Sequence, residues 1–197
     1  MSRILRYMVL AVLGITLVGC GTAAKQIQMK SQGERMDVFS EVKDESAPPK
    51  GFVDLIIKAS IKTHLESYYI LESKESLHRK QGYPYVFNLD GQAVIWRVEG
   101  QKEVTPAYDE NGKRIPEGGE GMRYILEKKI RLAAGAHKIF FGLPEEDYFE
   151  EIEITLKEGK LHALEFKPVY RKDNRRIQSF LHEIKSYEVF LDEKHLN

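Results

Sequence analysis

The sequence predicts an all-β protein: a single antiparallel β-sandwich of about seven to eight strands with a short C-terminal helix. Two observations lead to this prediction. After Phe52, apolar and polar residues alternate with a period of two over long stretches, as they do in strands with one buried face. Tight-turn sequences such as Asp90-Gly91 separate these stretches at short intervals. Long helices do not alternate with the strands, so a parallel sheet is not expected.

The first strand is predicted in 52–65, where apolar residues occupy most odd positions and polar residues most even ones. A hairpin follows at Asp90-Gly91, a dipeptide that favours a two-residue type I′ turn. The register of such a turn places the large apolar side chains of both strands on one face. The predicted pairs are Leu89 with Gln92, Phe87 with Val94, Tyr85 with Trp96, and Tyr83 with Val98.

Further alternation predicts strands within 122–132, 139–143, 152–156 and 161–166, and a final strand at 187–191. Lys157-Glu158-Gly159 is predicted as a three-residue hairpin loop with Gly159 in the left-handed conformation. Between the last two strands, four apolar residues at helical spacing predict the short helix, capped by Asp173 or Asn174. These four residues are Ile177, Phe180, Leu181 and Ile184.

The first nineteen residues have the three parts of an export signal. Arg3 and Arg6 are positive, the run 7–18 is apolar, and small residues follow it. About a dozen apolar residues are too few to cross a hydrocarbon core, which requires about 20. The segment is therefore predicted to be a signal peptide and not a permanent transmembrane anchor.

The end of the apolar run, Leu17-Val18-Gly19-Cys20, resembles the lipobox of bacterial lipoproteins. In that family the cysteine thiol carries a diacylglycerol and becomes the mature N-terminus, and three acyl chains anchor it essentially irreversibly. Cys20 is the one cysteine of the chain, so it is the predicted lipidation site and no intrachain disulfide is possible. Gly21 stands where a retention signal would place Asp, so the resemblance implies the outer membrane, facing the periplasm, rather than the inner membrane. The alternative is an ordinary signal peptide with a chance cysteine.

Composition divides the chain into three parts. Residues 1–19 are the signal peptide, residues 20–50 are the lipidated cysteine with a flexible tether, and residues 51–197 are the β-sandwich domain. The tether is predicted because 21–50 is polar, lacks sustained periodicity and ends in Ala47-Pro48-Pro49. A short element within 36–42 could still dock on the domain.

The segment 132–170, with its corner Gly135-Ala136-His137, resembles PEGA-type and related immunoglobulin-like or transthyretin-like modules of bacterial envelope proteins. A corner made of a strand, Gly, any residue, His or Tyr, and a second strand is common in those modules. The resemblance covers about a fifth of the chain. It implies a scaffold or display domain and brings no catalytic residues. His137 is expected to bond a neighbouring backbone carbonyl and shape the corner; the alternative is a buried base or ligand.

Charge and motifs argue against several classes of function. The chain has 30 basic and 30 acidic residues, and loss of Arg3 and Arg6 with the leader leaves a charge of about −2. Such a balance gives no general attraction to nucleic acid, so nucleic-acid binding is not expected. The six histidines lack the spacing of a metal site, so no metal or cofactor is expected. His64 and Glu66 could offer two ligands, but Lys62 on the same wet strand face would repel a cation.

No catalytic motif is recognised, so the protein is predicted not to be an enzyme. There is no G-x-S-x-G sequence and no free cysteine after lipidation. The acidic run Glu145-Glu146-Asp147 lacks the spacing of a calcium loop and is expected to be a solvated turn. A hydrolase therefore has no supporting set of residues.

Two features are candidate contact sites. The connection 101–121 is long and aperiodic, and such loops at the end of a sandwich often form binding surfaces. Tyr108 is its candidate aromatic anchor; the alternative is a floppy insertion. The second feature is a basic cluster that could contact lipid head groups, lipopolysaccharide phosphates or an acidic partner, or could be a solvated helix start. Its residues are Arg171, Lys172, Arg175 and Arg176.

The function predicted from these features is that of a non-enzymatic accessory, assembly or scaffold lipoprotein of the cell envelope. Its partners would be the membrane, through the N-terminal lipid, and an envelope protein complex. The alternative is a lipoprotein that binds a small molecule or glycan on an aromatic surface near Tyr83, Tyr85 and Trp96. If these aromatic residues face the core, the alternative loses the lining of its pocket.

Overall fold

A computed structural model of the chain describes residues 22–43, 46–65, 75–171, 179–181 and 184–196. Within these residues there are one α-helix, eleven strands and two 3₁₀ turns, at Pro144–Glu146 and Ser179–Leu181, so the predicted all-β class is confirmed. The helix is α1 (Thr22–Lys30). The strands are β1 (Phe39–Glu41), β2 (Phe52–Thr63), β3 (Tyr83–Leu89), β4 (Gln92–Val98), β5 (Gly100–Thr105), β6 (Gly119–Ala133), β7 (Gly135–Leu143), β8 (Tyr148–Leu156), β9 (Leu161–Tyr170), β10 (Ile184–Leu191) and β11 (Lys194–His195).

The strands form two sheets that pack face to face. Sheet A has the order β1-β6-β2-β9-β10-β11, with β5 also paired to β6, and sheet B has the order β4-β3-β7-β8. The core lies between the sheets, where Phe141 of sheet B stacks on Phe166 of sheet A with ring centroids 4.1 Å apart. Tyr83 and Tyr124 make a second contact of this kind at 4.6 Å. Burial of these inner faces removes apolar surface from water and stabilises the fold.

The predicted hairpin at Asp90-Gly91 is confirmed in its register. β3 and β4 pair Leu89 with Gln92, and the pairing continues through the predicted partners to Tyr83 with Val98. Asp90 and Gly91 have φ angles of 48° and 93°, as a type I′ turn requires. The final strand, β10, is also confirmed at 187–191.

The predicted hairpin between β8 and β9 is wrong. Gly159 does have a positive φ of 76°, but the chain crosses here from sheet B to sheet A. β9 therefore lies beside β2, and these two strands run parallel from the pair Asp54–Leu161 to the pair Ala59–Phe166. The prediction of an antiparallel sandwich with seven to eight strands is therefore wrong in two respects. β2 and β9 run parallel, and the described residues contain eleven strands.

Two turns at one end of the sheets are built in the same way. Asp90 Oδ2 lies 2.7 Å from Nδ1 of His137, and Asp192 Oδ2 lies 2.8 Å from Nδ1 of His162. In each case the other carboxylate oxygen accepts a hydrogen bond from the N–H of the residue after the histidine, at 2.8 and 3.0 Å. Both aspartates have positive φ angles, 48° and 50°, which short polar side chains tolerate. The Asp90 turn is thus bonded to the start of β7, and the Asp192 turn to the start of β9.

The second ring nitrogen of each histidine also faces a partner. His137 Nε2 lies 2.9 Å from the carbonyl oxygen of Ala133, and His162 Nε2 lies 3.1 Å from that of Lys157. The prediction that His137 bonds a neighbouring carbonyl and shapes its corner is confirmed. The acid that orients its ring comes from another hairpin, which the local sequence could not show.

The predicted flexible tether over 20–50 is corrected for its described residues. α1 packs on the outer face of sheet B through Ile27, whose side chain is buried. The chain then passes around the edge of β4, and β1 pairs with β6 from Phe39–Leu132 to Glu41–Ile130. β1 lies within 36–42, so this segment does contain an element that docks on the domain. An isolated apolar residue such as Ile27 has no periodic pattern around it, which is why the sequence suggested a tether.

Some predictions fall on residues outside the described part of the chain. These are the signal peptide, Cys20, Lys172, Arg175 and Arg176. The predicted C-terminal helix is described only at 179–181, which form a 3₁₀ turn, and at Ile184, where strand β10 already begins. The helix therefore does not extend to Ile184.

Candidate contact surface

Most of the predicted loop 101–121 is a β-hairpin, and we call residues 100–119 the arm. β5 pairs with β6 from Gly100–Tyr124 to Thr105–Gly119, and Tyr108 forms an isolated bridge with Arg114 further along. None of the residues of β5 is buried. A strand without a buried face has no period-two pattern, so sequence periodicity could not detect it.

Tyr108 is presented to solvent near the tip of the arm. Its side chain is 56% exposed, and that of Val104 on β5 is 76% exposed. The tip is ordered by Asp109, whose Oδ1 accepts hydrogen bonds from the N–H groups of Asn111 and Lys113 at 2.9 and 2.8 Å. Such side-chain bonds fix a local turn. The predicted anchor therefore stands on an ordered hairpin rather than on a floppy insertion.

A buried lysine attaches the arm to sheet A. Lys62, predicted on a wet face, is 1% exposed. Its Nζ donates hydrogen bonds to Thr105 Oγ1 at 3.1 Å and to the carbonyl oxygens of Glu117 and Gly119 at 2.9 and 2.7 Å. Burial lowers the pKa of Lys62, while the bond to the nearby carboxylate of Glu103 opposes this change. The prediction failed because the arm folds over a position that alternation alone would leave in water.

Arg123 extends this network across the base of the arm. Its guanidinium donates to Glu103 Oε2 and to Glu117 Oε2, both at 2.7 Å. Burial acts against the charge of Arg123, but these two carboxylates raise its pKa. Tyr170 OH donates to Glu117 Oε1 at 2.8 Å and accepts from the N–H of Lys62 at 2.9 Å. The arm is thus linked to β2, β6 and β9 together.

The basic cluster begins beside this network. Arg171 is exposed and directly follows Tyr170, the last residue of β9, which contacts the arm at Glu117. After the cluster, the N–H of Phe180 donates to the carbonyl oxygen of Pro116 in the arm at 3.1 Å. The structure therefore places Arg171 and the arm of Tyr108 at the same end of the sheets. We call this the arm end, and the opposite end, with the turns at Asp90 and Asp192, the turn end.

A second polar cluster at the arm end was not predicted. Glu146 Oε1 lies 2.7 Å from His78 Nε2 and accepts a hydrogen bond from Tyr83 OH at 2.9 Å. The other nitrogen of His78, Nδ1, lies 3.3 Å from His64 Nε2. The Glu146 side chain is only 6% exposed, so the prediction of a solvated acidic turn is wrong at this residue. These residues are far apart in sequence, and only the tertiary fold brings them together.

This cluster has the parts of an oriented imidazole, since a carboxylate positions the ring of His78. The ring also stacks on Tyr83, with ring centroids 6.3 Å apart. Among the described residues, no group of three or more His, Cys, Asp or Glu side chains could hold a metal ion. Through their contacts with Glu146, His78 and Tyr83 join the segment that leads into β3 to the 3₁₀ turn before β8.

The aromatic surface proposed for a bound small molecule or glycan lies in the core. Tyr83 and Tyr85 have no exposed surface, and Trp96 is 4% exposed. Trp96 Nε1 donates a hydrogen bond to Glu41 Oε1 at 2.7 Å, beneath the segment that carries β1. These three side chains cannot line a surface site, as the predicted register already implied.

An open groove of about 560 Å³ lies between the end of α1 and strands β7 and β8. Its charged side chains pair with one another: Lys30 lies 3.5 Å from Glu151, and Lys138 lies 3.1 Å from Glu153. The third carboxylate of the lining, that of Asp90, lies 2.7 Å from His137 Nδ1. The three carboxylates and two lysines of the groove therefore all have partners within the fold.

Among the described residues, no helix is both long enough and apolar enough to cross a membrane. Comparisons of the chain with known protein families, with curated proteins and with solved structures find no match. A function can therefore be proposed only from the residues of the chain and their geometry.

Proposed function

We propose that this chain is a membrane-anchored envelope lipoprotein whose β-sandwich acts as a non-enzymatic accessory, assembly or scaffold module. The observation that carries the proposal is the sequence Leu17-Val18-Gly19-Cys20, which stands directly before a folded domain that begins at Thr22. The lipobox-like motif supplies the anchor, and the ordered arm supplies an exposed contact surface. By the same resemblance, the location is the outer membrane, facing the periplasm.

The distribution of reactive side chains supports a non-enzymatic role. Lys62 directs its ammonium group to oxygen atoms of the arm. Both ring nitrogens of His137 face acceptors, and those of His162 lie against Asp192 and against the backbone N–H and carbonyl groups of Lys157. These groups stabilise turns and the arm, and their hydrogen-bonding capacity is used inside the fold.

The finer fold proposal is a scaffold of the immunoglobulin-like or transthyretin-like kind. Two mainly antiparallel sheets with a shared core support it. So does the corner at Gly135 and His137, which carries the chain from sheet A to sheet B. A module of this kind displays loops at its ends, and the arm end is where this domain presents Tyr108.

The anchor is tested by expressing the full chain in a bacterium and measuring the mass of the N-terminal peptide. We expect cleavage before Cys20 and the added mass of acyl chains, with the protein in the membrane fraction. The Cys20→Ser variant is the matched control and should keep an unmodified leader. An unmodified Cys20 in the wild-type chain would overturn the lipoprotein proposal.

The contact surface is tested by in-cell photo-crosslinking with the probe at Tyr108. The control probe stands at Lys157, an exposed residue at the turn end. A discrete protein adduct at 108 and none at 157 would identify an accessory subunit and its complex. Lipid adducts alone would make the membrane the partner of the arm, and equal labelling at both positions would contradict a contact role for Tyr108.

A further inference from the structure

The chain between the predicted lipidation site and the folded domain is very short. α1 begins at Thr22, so one residue, Gly21, separates the helix from Cys20. Two peptide steps span about 7 Å at most. The head-group layer on each side of a bilayer is about 5–7 Å thick. A lipid on Cys20 would therefore hold the first turn of α1 at the membrane surface.

α1 is itself fixed to the domain. Ile27 is 3% exposed and packs with Val86, Phe140 and Phe149 on the outer face of sheet B. Gly142 makes room for this contact, because a Cβ there would lie 2.9 Å from the ring of Phe140 and 3.4 Å from Ile27 Cγ1. The helix and the sheets therefore share one orientation.

The segment after α1 is also bound along its length. The side chain of Gln92 accepts hydrogen bonds from the N–H groups of Val38 and Phe39 at 2.8 and 3.1 Å, and donates one to the carbonyl oxygen of Phe39 at 2.9 Å. The Phe39 ring is buried and meets Phe87 edge-on, with centroids 6.2 Å apart. Burial of such a large apolar side chain stabilises the contact between this segment and the domain. The segment fastens the helix to the domain and is not a spacer.

The contacts of α1 give its direction. Its last residue, Lys30, lies near Asn88, whose Nδ2 donates to the Lys30 carbonyl oxygen at 3.0 Å. One turn earlier, Ile27 meets Val86, which is closer to the start of β3. The first turn of α1 therefore points to the end of the sheets where β3 begins. This is the arm end, because Tyr83 at the start of β3 stacks on Tyr124 beside the arm.

We infer that the lipid anchor, on which this inference rests, holds the domain end-on, with the arm end against the head groups of anionic phospholipids. Tyr108 then lies at the depth where aromatic residues with a polar tip are favoured. Arg171, which is exposed, lies at the same end, and a cation close to an anionic surface is attracted to it. Of the two acids after Tyr108, Asp109 already bonds backbone N–H groups of the arm tip, and Glu110 is exposed.

A competing orientation would lay the domain on α1. The exposed face of the helix carries Lys25, Gln28 and Met29. In that orientation Gln28 would be the residue closest to the bilayer, and the arm would lie in water. End-on attachment instead places the turn end about 40 Å from the membrane, because β2 has twelve residues at about 3.3 Å each.

The two orientations are separated by fluorescence quenching. Cys20 is the one cysteine of the chain, and lipidation uses its thiol. A cysteine introduced elsewhere is therefore the only position labelled by a thiol-reactive, environment-sensitive dye. The variants are Tyr108→Cys, Gln28→Cys and Lys157→Cys in the full lipidated chain. Each is reconstituted in vesicles of phosphatidylethanolamine and phosphatidylglycerol that contain a spin-labelled phospholipid as quencher.

We expect quenching at 108 to exceed that at 157 by about threefold or more, with 28 in between, because the two ends are about 40 Å apart. Stronger quenching at 28 than at 108 would overturn the end-on orientation, and so would equal quenching at 108 and 157. The N-terminal mass of the same samples is measured in parallel. If it shows no acyl chains, the lipoprotein proposal itself fails; if acylation is present and quenching is uniform, only the orientation fails.

A linker variant tests whether the short connection sets this orientation. Ten Gly and Ser residues are inserted between Gly21 and Thr22, which leaves every described contact of the fold in place. We expect quenching at 108 to fall towards the value at 157, since the domain can then move away from the surface. Unchanged quenching at 108 would contradict control by the short connection.

Discussion

The ammonium group of Lys62 lies 3.3 Å from the carboxylate of Glu103, although the Lys62 side chain has no exposed surface. A charge removed from water is costly unless it is paired and hydrogen-bonded. Lys62 meets this condition only because the arm folds back over β2 and supplies the oxygen atoms. The position of the arm and the burial of this charge therefore depend on each other.

Replacing Lys62 with Met should destabilise the fold by about 2–4 kcal/mol, because the carbonyl groups of the arm and Glu103 lose a buried donor. Urea unfolding of the full chain measures this change. Hydrogen exchange should also become faster in the arm than in β3, since the side-chain hydrogen bonds of Lys62 go to the arm.

Lys58→Met is the matched control for this change. Lys58 lies on the same strand, and its side chain is 46% exposed. An exposed pair of this kind contributes about 0–1 kcal/mol, so this variant should stay close to wild type. Equal stability of the two variants would contradict the anchoring role of Lys62.

Phe39→Ala should cost about 3–5 kcal/mol, because it leaves a cavity where β1 meets the core. Met36→Ala, three residues earlier, removes a side chain that is 94% exposed and should change stability by less than about 0.5 kcal/mol. Unfolding followed by the fluorescence of Trp96, the one tryptophan, gives both values. A small effect at Phe39 would mean that 33–41 behaves as a tether after all.

Asp192 should make the protein more sensitive to acid. Burial acts to raise its pKa, but hydrogen bonds from Lys160, from the N–H of Ala163 and from His162 lower it from 3.8 to about 2. Because the pKa is lower in the folded state, the stabilisation is present above about pH 4 and is lost as the pH falls towards 2. Its size is about 2 kcal/mol.

Asp192→Asn should therefore lower stability at neutral pH by about 1–2 kcal/mol and flatten the loss of stability between about pH 4 and 2. Glu188→Gln, an exposed change on the neighbouring β10, is the control and should leave the acid profile unchanged. The free energy of unfolding in urea, measured across this pH range, gives both profiles. An unaltered acid profile for Asp192→Asn would rule out its role.

Buried tyrosines should make the fold sensitive to alkali. Burial raises the pKa of six of the ten tyrosines: Tyr83, Tyr85, Tyr124 (to about 12), Tyr148, Tyr170 and Tyr187. In the unfolded chain these phenols ionise near pH 10, so their contribution to stability is present below pH 10 and is lost as the pH rises above it.

Phenolate absorbance measured against pH tests this prediction. In the native protein these six residues should ionise only together with unfolding, whereas the guanidinium-unfolded chain should titrate smoothly near pH 10. A smooth titration of all tyrosines near pH 10 in the native protein would contradict the core between the two sheets.

Local pattern predicted much of sheet B. The pairing of Tyr85 with Trp96 follows from a two-residue turn and from alternation, and both are short-range properties of the chain. The loop at Gly159 was also recognised as a turn. The crossing from sheet B to sheet A at this turn was not predicted, because a tight turn between strands can either continue a sheet or lead to the other one. Which of these occurs depends on the partner of β9, and that partner, β2, lies about a hundred residues earlier in the chain.

The candidate contact surface was predicted in part. Tyr108 was named from loop length, and it is exposed. The sequence did not predict the hydrogen bonds that hold the arm on sheet A. These bonds involve Lys62, Glu103 and Tyr170, which are polar residues distant in sequence, and no periodic signal connects them. The cluster of His78 with Glu146 was missed for the same reason, since its residues come from three separate segments.

The sequence by itself determined the strand pattern, the turn at Asp90-Gly91 and the prediction of a lipid anchor at Cys20, because each depends on residues close together in the chain. Only the tertiary structure decided that β2 and β9 run parallel, that Lys62 is buried, and that α1 packs on sheet B. These features arise from contacts between distant segments, whose free energy appears only after the chain has brought them together.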